Sequence, residues 1–361
     1  MRINPLHRIV WTLAIGLAPS ACASAQNAAS SSPASPAYAY VANQDAASVS
    51  VIDTDARSVV ATVDLQRFGF AANARPHHTA VEPDGAFWYV TLIGGGAVLK
   101  FNRANALVGR ADFEVPGLLA VHPTRDLLIV GRSMMAVNPP QRIGIIRRSD
   151  MSIEEVDIFF ARPHALAMDP RGEHVYVGSL AANQMATYDI EQERLELSDL
   201  PGDPHVYVQF AVSPDGRRLV ATGQLSGKLL VFDTTDPMSP TLTTTVDVGR
   251  GPWHPVFTPD GREVYVGNLE DNTVSVVETE GWTVTNVIRH EGFAQPHGSG
   301  VTPDGRYVYI SNRNVHDDHS GGHMAASTAL GRVVVIDTRT HAVVSVIETG
   351  PYSAGMSIGP Q

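Results

Sequence analysis

The sequence predicts an all-β chain: a seven-bladed β-propeller with four-stranded blades, the last closed by N- and C-terminal strands. Three observations lead there: a recurring Pro-Asp-Gly turn, an alternating strand after each turn, and a repeat of about 40–50 residues. The turn is complete at 214–217, 259–262 and 303–306, and varied near Pro83, Pro123 and Pro170. Proline presets φ at the first turn position and glycine tolerates positive φ, so each marks a tight hairpin. The strands that follow include Trp88-Tyr89-Val90, Val175-Tyr176-Val177, Val264-Tyr265-Val266 and Val308-Tyr309-Ile310. A polar loop and two further β-rich runs complete each unit, for example Arg332–Asp337 and Val343–Ile347.

Six units begin near Pro76, Pro116, Pro163, Pro204, Pro252 and Pro296, and a seventh begins at Pro351 just before the chain ends. The N-terminal runs Tyr38–Ala42, Val49–Asp53 and Val59–Val63 supply the missing strands. The seventh blade is therefore expected to take its inner strand from Tyr352–Ile358 and the other three from residues 38–65.

The first 25 residues read as an export signal: Arg2 and Arg8, an apolar run Ile9–Ala18, and an Ala23-Ser24-Ala25 cleavage site. Residues 26–37 form an Ala/Ser/Pro-rich leader, and residues 38–361 one propeller domain. The expected location is the periplasm or the exterior. Lipidation at Cys22 is the alternative, though no leucine stands three residues before it. Cys22 is the only cysteine, so a chain cleaved at Ala25 has neither disulfide nor thiol chemistry. Without Arg2 and Arg8, 24 basic residues face 37 acidic ones, a formal net charge of −13. That balance argues against nucleic acid and anionic membranes as partners. No further apolar run is long enough to span a bilayer.

Two segments carry a resemblance. Ala39-Tyr40-Val41-Ala42-Asn43 with Val49–Asp53, and Val264–Asn268 with Thr273–Val277, resemble the YVTN-type repeat of YncE-like propellers. The resemblance spans residues 38–361 and implies the fold and an extracytoplasmic setting. It implies little about activity, because propellers host many chemistries.

A histidine recurs where the inner strands start: His77-His78, His164, His205, His254 and His297. His77, His164 and His297 each stand six residues before the turn proline; His254 stands five before, level with His78. His205 stands nine before Pro214, and the six-before slot holds Gly117 in one blade and Tyr352 in the closing one. Inner strands line the axis, so these residues are expected to ring the top-face mouth. A long loop between Asn312 and Arg332 carries His316, Asp317, Asp318, His319, His323 and Met324, and is expected to hang over that ring.

Several imidazoles without a thiolate suit copper or zinc. The candidate ligands are His77, His78, His164, His205, His254 and His297, joined by His316, His319 and His323. The arrangement is similar to the axial histidines of the nitrous oxide reductase propeller, in its ring alone. Copper-dependent methanethiol oxidase and the haem d1 domain offer the same architectural analogy. The plain alternative is a hydrogen-bonded ring without metal, each imidazole tied to a neighbouring blade. Arg75, Arg132, Arg162, Arg250 and Arg313 flank the same face and would suit an anionic ligand. Phe68 and Phe70 either wall the mouth or pack between blades, and Met134-Met135 offers thioether sulfur. Activity stays open between redox chemistry, hydrolysis and non-catalytic capture of a protein, peptide or polysaccharide. Lactonases also use seven-bladed propellers, but no G-x-S-x-G is present, and Asp317 and Asp318 are the acidic residues expected at the mouth. The expected molecule is a monomer that binds a small molecule or protein on its top face.

Overall fold

The computed structural model describes residues 37–134, 141–315 and 328–360. Among the described residues, twenty-eight strands form seven four-stranded antiparallel sheets. We number the blades by chain order: 76–112, 116–157, 163–199, 207–247, 252–289 and 296–351 make blades 1 to 6. Blade 7 combines the C-terminal strand Ser353–Pro360 with Ala37–Asn43, Ser48–Asp53 and Ser58–Asp64. The closing ladder runs from Ala37 opposite Pro360 to Asn43 opposite Ser353, as expected from sequence. Among the described residues, no helix is long and apolar enough to cross a membrane.

The hairpins follow from their turn residues. Gly216, Gly261 and Gly305 adopt φ of 72°, 71° and 70°, which a Cβ would resist. The preceding aspartates accept the backbone N–H two residues on, as Asp304 Oδ1 does from Arg306 at 3.0 Å. The asparagines ending second strands have a structural task too. Asn268 Nδ2 donates to Thr273 Oγ1 and Ser275 Oγ, both at 2.9 Å, and Asn43 does the same toward Ser48 and Ser50. The repeat's asparagine thus braces the hairpin that follows it.

The hydrophobic core lies between blades rather than on the axis. Tyr40, Val49 and Val51 of blade 7 pack on Trp88, Leu99 and Phe101 of blade 1. Equivalent clusters fill the other six interfaces, as where Val220, Leu229 and Val231 of blade 4 meet Val264 and Val266 of blade 5. Each buried Val, Leu or Phe side chain contributes roughly 1.5–3 kcal/mol. The ring therefore closes on seven comparable seams, and no seam can be left open cheaply. Phe68 and Phe70 belong to this packing. Phe68 stands edge-on to Phe101 at 5.4 Å, and Phe70 lies under the Arg110 guanidinium at 5.3 Å.

The inner strands share one lead-in. Arg75, Val115, Arg162, Val206, Gly251, Gln295 and Tyr352 precede them, all with φ between 49° and 61°. Six of the seven are not glycine, so the left-handed backbone is held by its surroundings. The carbonyl of each accepts a backbone N–H from the residue just past the same blade's second strand: Ile93, Ser133, Leu180, Gln224, Leu269, Arg313 and Gln44 in turn.

This frame moves two boundaries. The inner strand of blade 4 starts at Tyr207, not at Pro204, because Tyr207 pairs with Gly223 where other blades place their proline. The inner strand of blade 7 starts at Ser353, so Tyr352 occupies the left-handed lead-in and Ala354 the ring slot. Closure makes a testable demand. Deleting residues 353–361 removes the inner strand of blade 7 and the ladder partner of Ala37–Asn43, and should abolish a cooperative thermal transition by circular dichroism; a wild-type-like melt would contradict it.

Candidate axial site

Each inner strand opens with a bulge, seen where pairing skips from Pro76 to Thr79 and from Pro296 to Ser299. The bulge turns two successive side chains toward neighbouring blades. The first slot of blades 1 to 7 holds His77, Gly117, His164, Val208, Trp253, His297 and Ala354; the second holds His78, Leu118, Ala165, Gln209, His254, Gly298 and Gly355.

Five of the sequence-predicted histidines meet here. The His77 ring lies 6.1 Å from His164 and 5.8 Å from His297, centroid to centroid. His254 lies 5.0 Å from His297 and 5.9 Å from His78. All five are buried, with exposures of 1–8%. Glycines make the room: a Cβ on Gly355 would sit 2.6 Å from the His77 carbonyl and from His78 Cδ2. His205 belongs elsewhere. It is half-buried, its Nδ1 lies 2.8 Å from Ser226 Oγ, and its ring stacks on Tyr207 at 6.2 Å. The extra residues between Pro204 and Tyr207 carry it off the ring, so four blades rather than five supply the cluster. His316, His319, His323, Met324 and Met135 lie outside the described residues.

Hydrogen bonds sort the five imidazoles by tautomer. His164 Nδ1 lies 2.8 Å from the Arg132 carbonyl, which can only accept, so Nδ1 carries the proton and Nε2 the lone pair. His77 Nδ1 lies 3.3 Å from Gln44 Oε1, which places its proton likewise. Both contacts reach back to the end of the preceding blade's second strand. Gly117 keeps that carbonyl in place, since a Cβ there would lie 2.4 Å from Arg132 oxygen. His78 is the opposite case. Its Nδ1 accepts the Leu119 backbone N–H at 3.2 Å, so its proton sits on Nε2 and no lone pair is left. His254 Nε2 is buried with no hydrogen-bond partner among the described residues.

Burial decides the charge. Desolvation, with His164 nearby, lowers the His78 pKa to about 3. His164 falls to about 4 through desolvation, which its bond to Arg132 partly offsets. His254 lies well below the ordinary imidazole range through desolvation, with His78, His164 and Arg313 adding repulsion. A cluster of neutral imidazoles is ready to bind a cation without first losing protons. It is also open as it stands. Among the described residues, the one group that brings three ligand atoms within 4.8 Å of each other is Asp169, Glu173 and His174. That group lies at a hairpin turn of blade 3, where Asp169 accepts the backbone N–H groups of residues 173 and 174 and Arg171 pairs with both carboxylates.

Most of the flanking arginines are engaged. Arg132 is 1% exposed, over the Phe113 ring and paired with Glu155 at 2.9 Å. Arg162 donates to the Met134 carbonyl at 2.6 Å, and Arg250 pairs with Asp271 at 2.7 Å. Arg313 stands apart. Its guanidinium lies 4.7 Å from the Trp253 ring and 5.1 Å from the Tyr352 ring. Sequence reading noted Arg313 but not the aromatic clamp, which depends on the left-handed turn at Tyr352.

A profile of the family described as "Lactonase, 7-bladed beta-propeller" matches residues 203–323, within blades 4 to 6. The chain is similar to these lactonase propellers. It is 26% identical over 241 residues to a 6-phosphogluconolactonase of Enterobacter sp. (strain 638), covering 60% of this chain and 70% of that protein. A protein of unknown function from Desulfotomaculum acetoxidans DSM 771 shares the fold with a TM-score of 0.72 at 15% identity, covering 90% of this chain and 99% of the other. A putative 6-phosphogluconolactonase from Bacteroides fragilis NCTC 9343 gives 0.66 at 14% identity, covering 90% and 98%.

The cluster's charge state makes a pH prediction. His78, His164 and His254 are neutral when folded and take up protons when unfolded below the ordinary imidazole value of 6.5. Stability is complete above that value and falls as pH drops toward about 4, by up to about 1.4 kcal/mol per pH unit for each histidine. Urea midpoints should be lower at pH 5 than at pH 7, and His254→Phe should flatten the difference. Equal wild-type midpoints would contradict buried neutral imidazoles.

Proposed function

We propose that the axial cluster of an exported propeller holds one transition-metal ion, copper or zinc, and that His77 and His164 are ligands through Nε2. His254 and His297 complete the set, and His78 braces the ring. The observation that carries this reading is the shared orientation of His77 and His164. Each donates Nδ1–H to a carbonyl oxygen of the preceding blade and so leaves Nε2 unprotonated, the arrangement that orients metal-binding imidazoles. Two imidazoles on one ion hold their centroids roughly 5–6 Å apart, given metal–nitrogen bonds of about 2.0–2.1 Å. The observed spacings of 5.0–6.1 Å lie close to that range.

Similarity to lactonase propellers supports a second element, hydrolysis of a cyclic ester. Imidazoles lowered to about 3 or 4 are weak general bases at neutral pH. A Lewis acid at the axis would supply the carbonyl polarisation they lack.

The test is metal content by mass spectrometry on protein prepared without tag or chelator. Near one copper or zinc per chain is expected, lost at least tenfold in His77→Ala/His164→Ala and retained in His78→Gln, with circular dichroism unchanged. A wild-type protein that stays metal-free after reconstitution would contradict the reading.

A further inference from the structure

Arg313 is the feature that neither the fold nor the metal reading absorbs. It immediately follows the second strand of blade 6, in the slot that Gln44 fills in blade 7. Its backbone N–H is tied to the Gln295 carbonyl at 3.2 Å, and that of Asn314 to Ala294 at 3.0 Å. The base of the side chain is therefore fixed to the wall of the mouth. Trp253 from blade 5 and Tyr352 from blade 7 then flank the guanidinium with their rings. Stacking on aromatic rings suits a planar, weakly hydrated cation, and it leaves the in-plane N–H groups to define what binds.

Those groups are specific. Nε and Nη2 are buried, and neither has a hydrogen-bond partner among the described residues. These two N–H bonds point the same way along one edge of the guanidinium, the side-on fork that matches the two oxygens of a carboxylate. A buried charged donor pair without an acceptor is costly, so the arrangement calls for an anion. The location adds a constraint. Trp253 also touches His297 at 5.3 Å, and His297 touches His77 and His254, so the fork borders the imidazole cluster.

We propose that Arg313, clamped between Trp253 and Tyr352, is a subsite for the carboxylate group of a small ligand whose remaining atoms reach the axial histidines. The subsite stands on Arg313 and its two aromatic neighbours, so it holds whether or not the histidines carry a metal. It gives the ligand a polarity: acid end at blade 6, reacting end at the axis. A lysine could supply the charge but not the paired donors, which separates fork recognition from simple attraction.

Isothermal titration of the full chain with glutarate, glutaramide and inorganic phosphate tests this, on chelator-treated and copper- or zinc-loaded protein. Glutarate should bind, and glutaramide should bind at least tenfold more weakly. Arg313→Lys should weaken glutarate at least tenfold and Arg313→Gln should abolish it, while both variants keep the wild-type melting curve and metal content. Glutarate binding in chelator-treated protein would support the subsite even if the metal reading fails. Equal affinity for glutaramide, undiminished binding by Arg313→Gln, or tighter binding of phosphate than of glutarate would each overturn the carboxylate assignment. So would a wild type that binds no glutarate, above all if Asp317→Asn/Asp318→Asn creates binding, since the fork would then hold the chain's own carboxylate.

Discussion

The site depends on one repeated backbone interaction. Before every inner strand a residue in the left-handed region offers its carbonyl to the amide just past the second strand of the same blade. This pins the start of the strand nearest the axis to the loop at its mouth. It holds valines 115 and 206 in a conformation that β-branched residues avoid, at a cost of roughly 1–2 kcal/mol each. Seven interblade cores supply the burial that sustains the strain. The consequence is positional precision: two successive side chains of each blade arrive at the axis at equivalent heights, and the residue beyond the second strand arrives beside them. His77, His164 and His297 come from the first of those positions, and Gln44 and Arg313 from the last.

Burial then gives the five imidazoles different work. At neutral pH His78, His164 and His254 carry no charge, because burial lowers all three below the ordinary imidazole range. Backbone groups of adjacent blades assign the protons. A carbonyl fixes His164 as an inward lone pair, while an amide N–H turns the neighbouring second-slot residue His78 into a brace. Under the proposed reading, bracing the ring and holding a metal are two roles divided within one cluster. At the mouth, the Arg313 guanidinium lies beside Trp253 and Tyr352 with Nε and Nη2 buried and without a hydrogen-bond partner among the described residues.

Much of this was legible in the sequence because propeller repeats carry local signals. The Pro-Asp-Gly turn needs a glycine at positive φ, and the strands that follow alternate, so blade number and the closure of blade 7 could be read directly. The recurrent histidine was legible for the same reason: equal distance from the turn means equal height on the axis. Reading failed where the lead-in changed length without a turn signal. His205 kept its proline but lost its register, and Tyr352 was read into the ring slot although it occupies the turn before it. Tautomers were not legible at all, because they depend on which backbone group a neighbouring blade presents. Nor was the clamp around Arg313, which joins residues from three blades. The dependence of the axis on Gly117 and Gly355 was hidden similarly, since a glycine's spacing does not reveal what would meet its missing side chain.

The account rests on axial histidines that are neutral when folded and of opposite tautomers. Long-range proton–nitrogen correlation spectroscopy on nitrogen-labelled protein, assigned with single His→Gln variants, reads both properties directly. At about pH 5.5, where a solvent-exposed histidine is mostly imidazolium, His164 should show the Nδ1–H form and His78 the Nε2–H form, neither of them charged. Imidazolium signals from both residues, or an Nε2–H tautomer at His164, would contradict it.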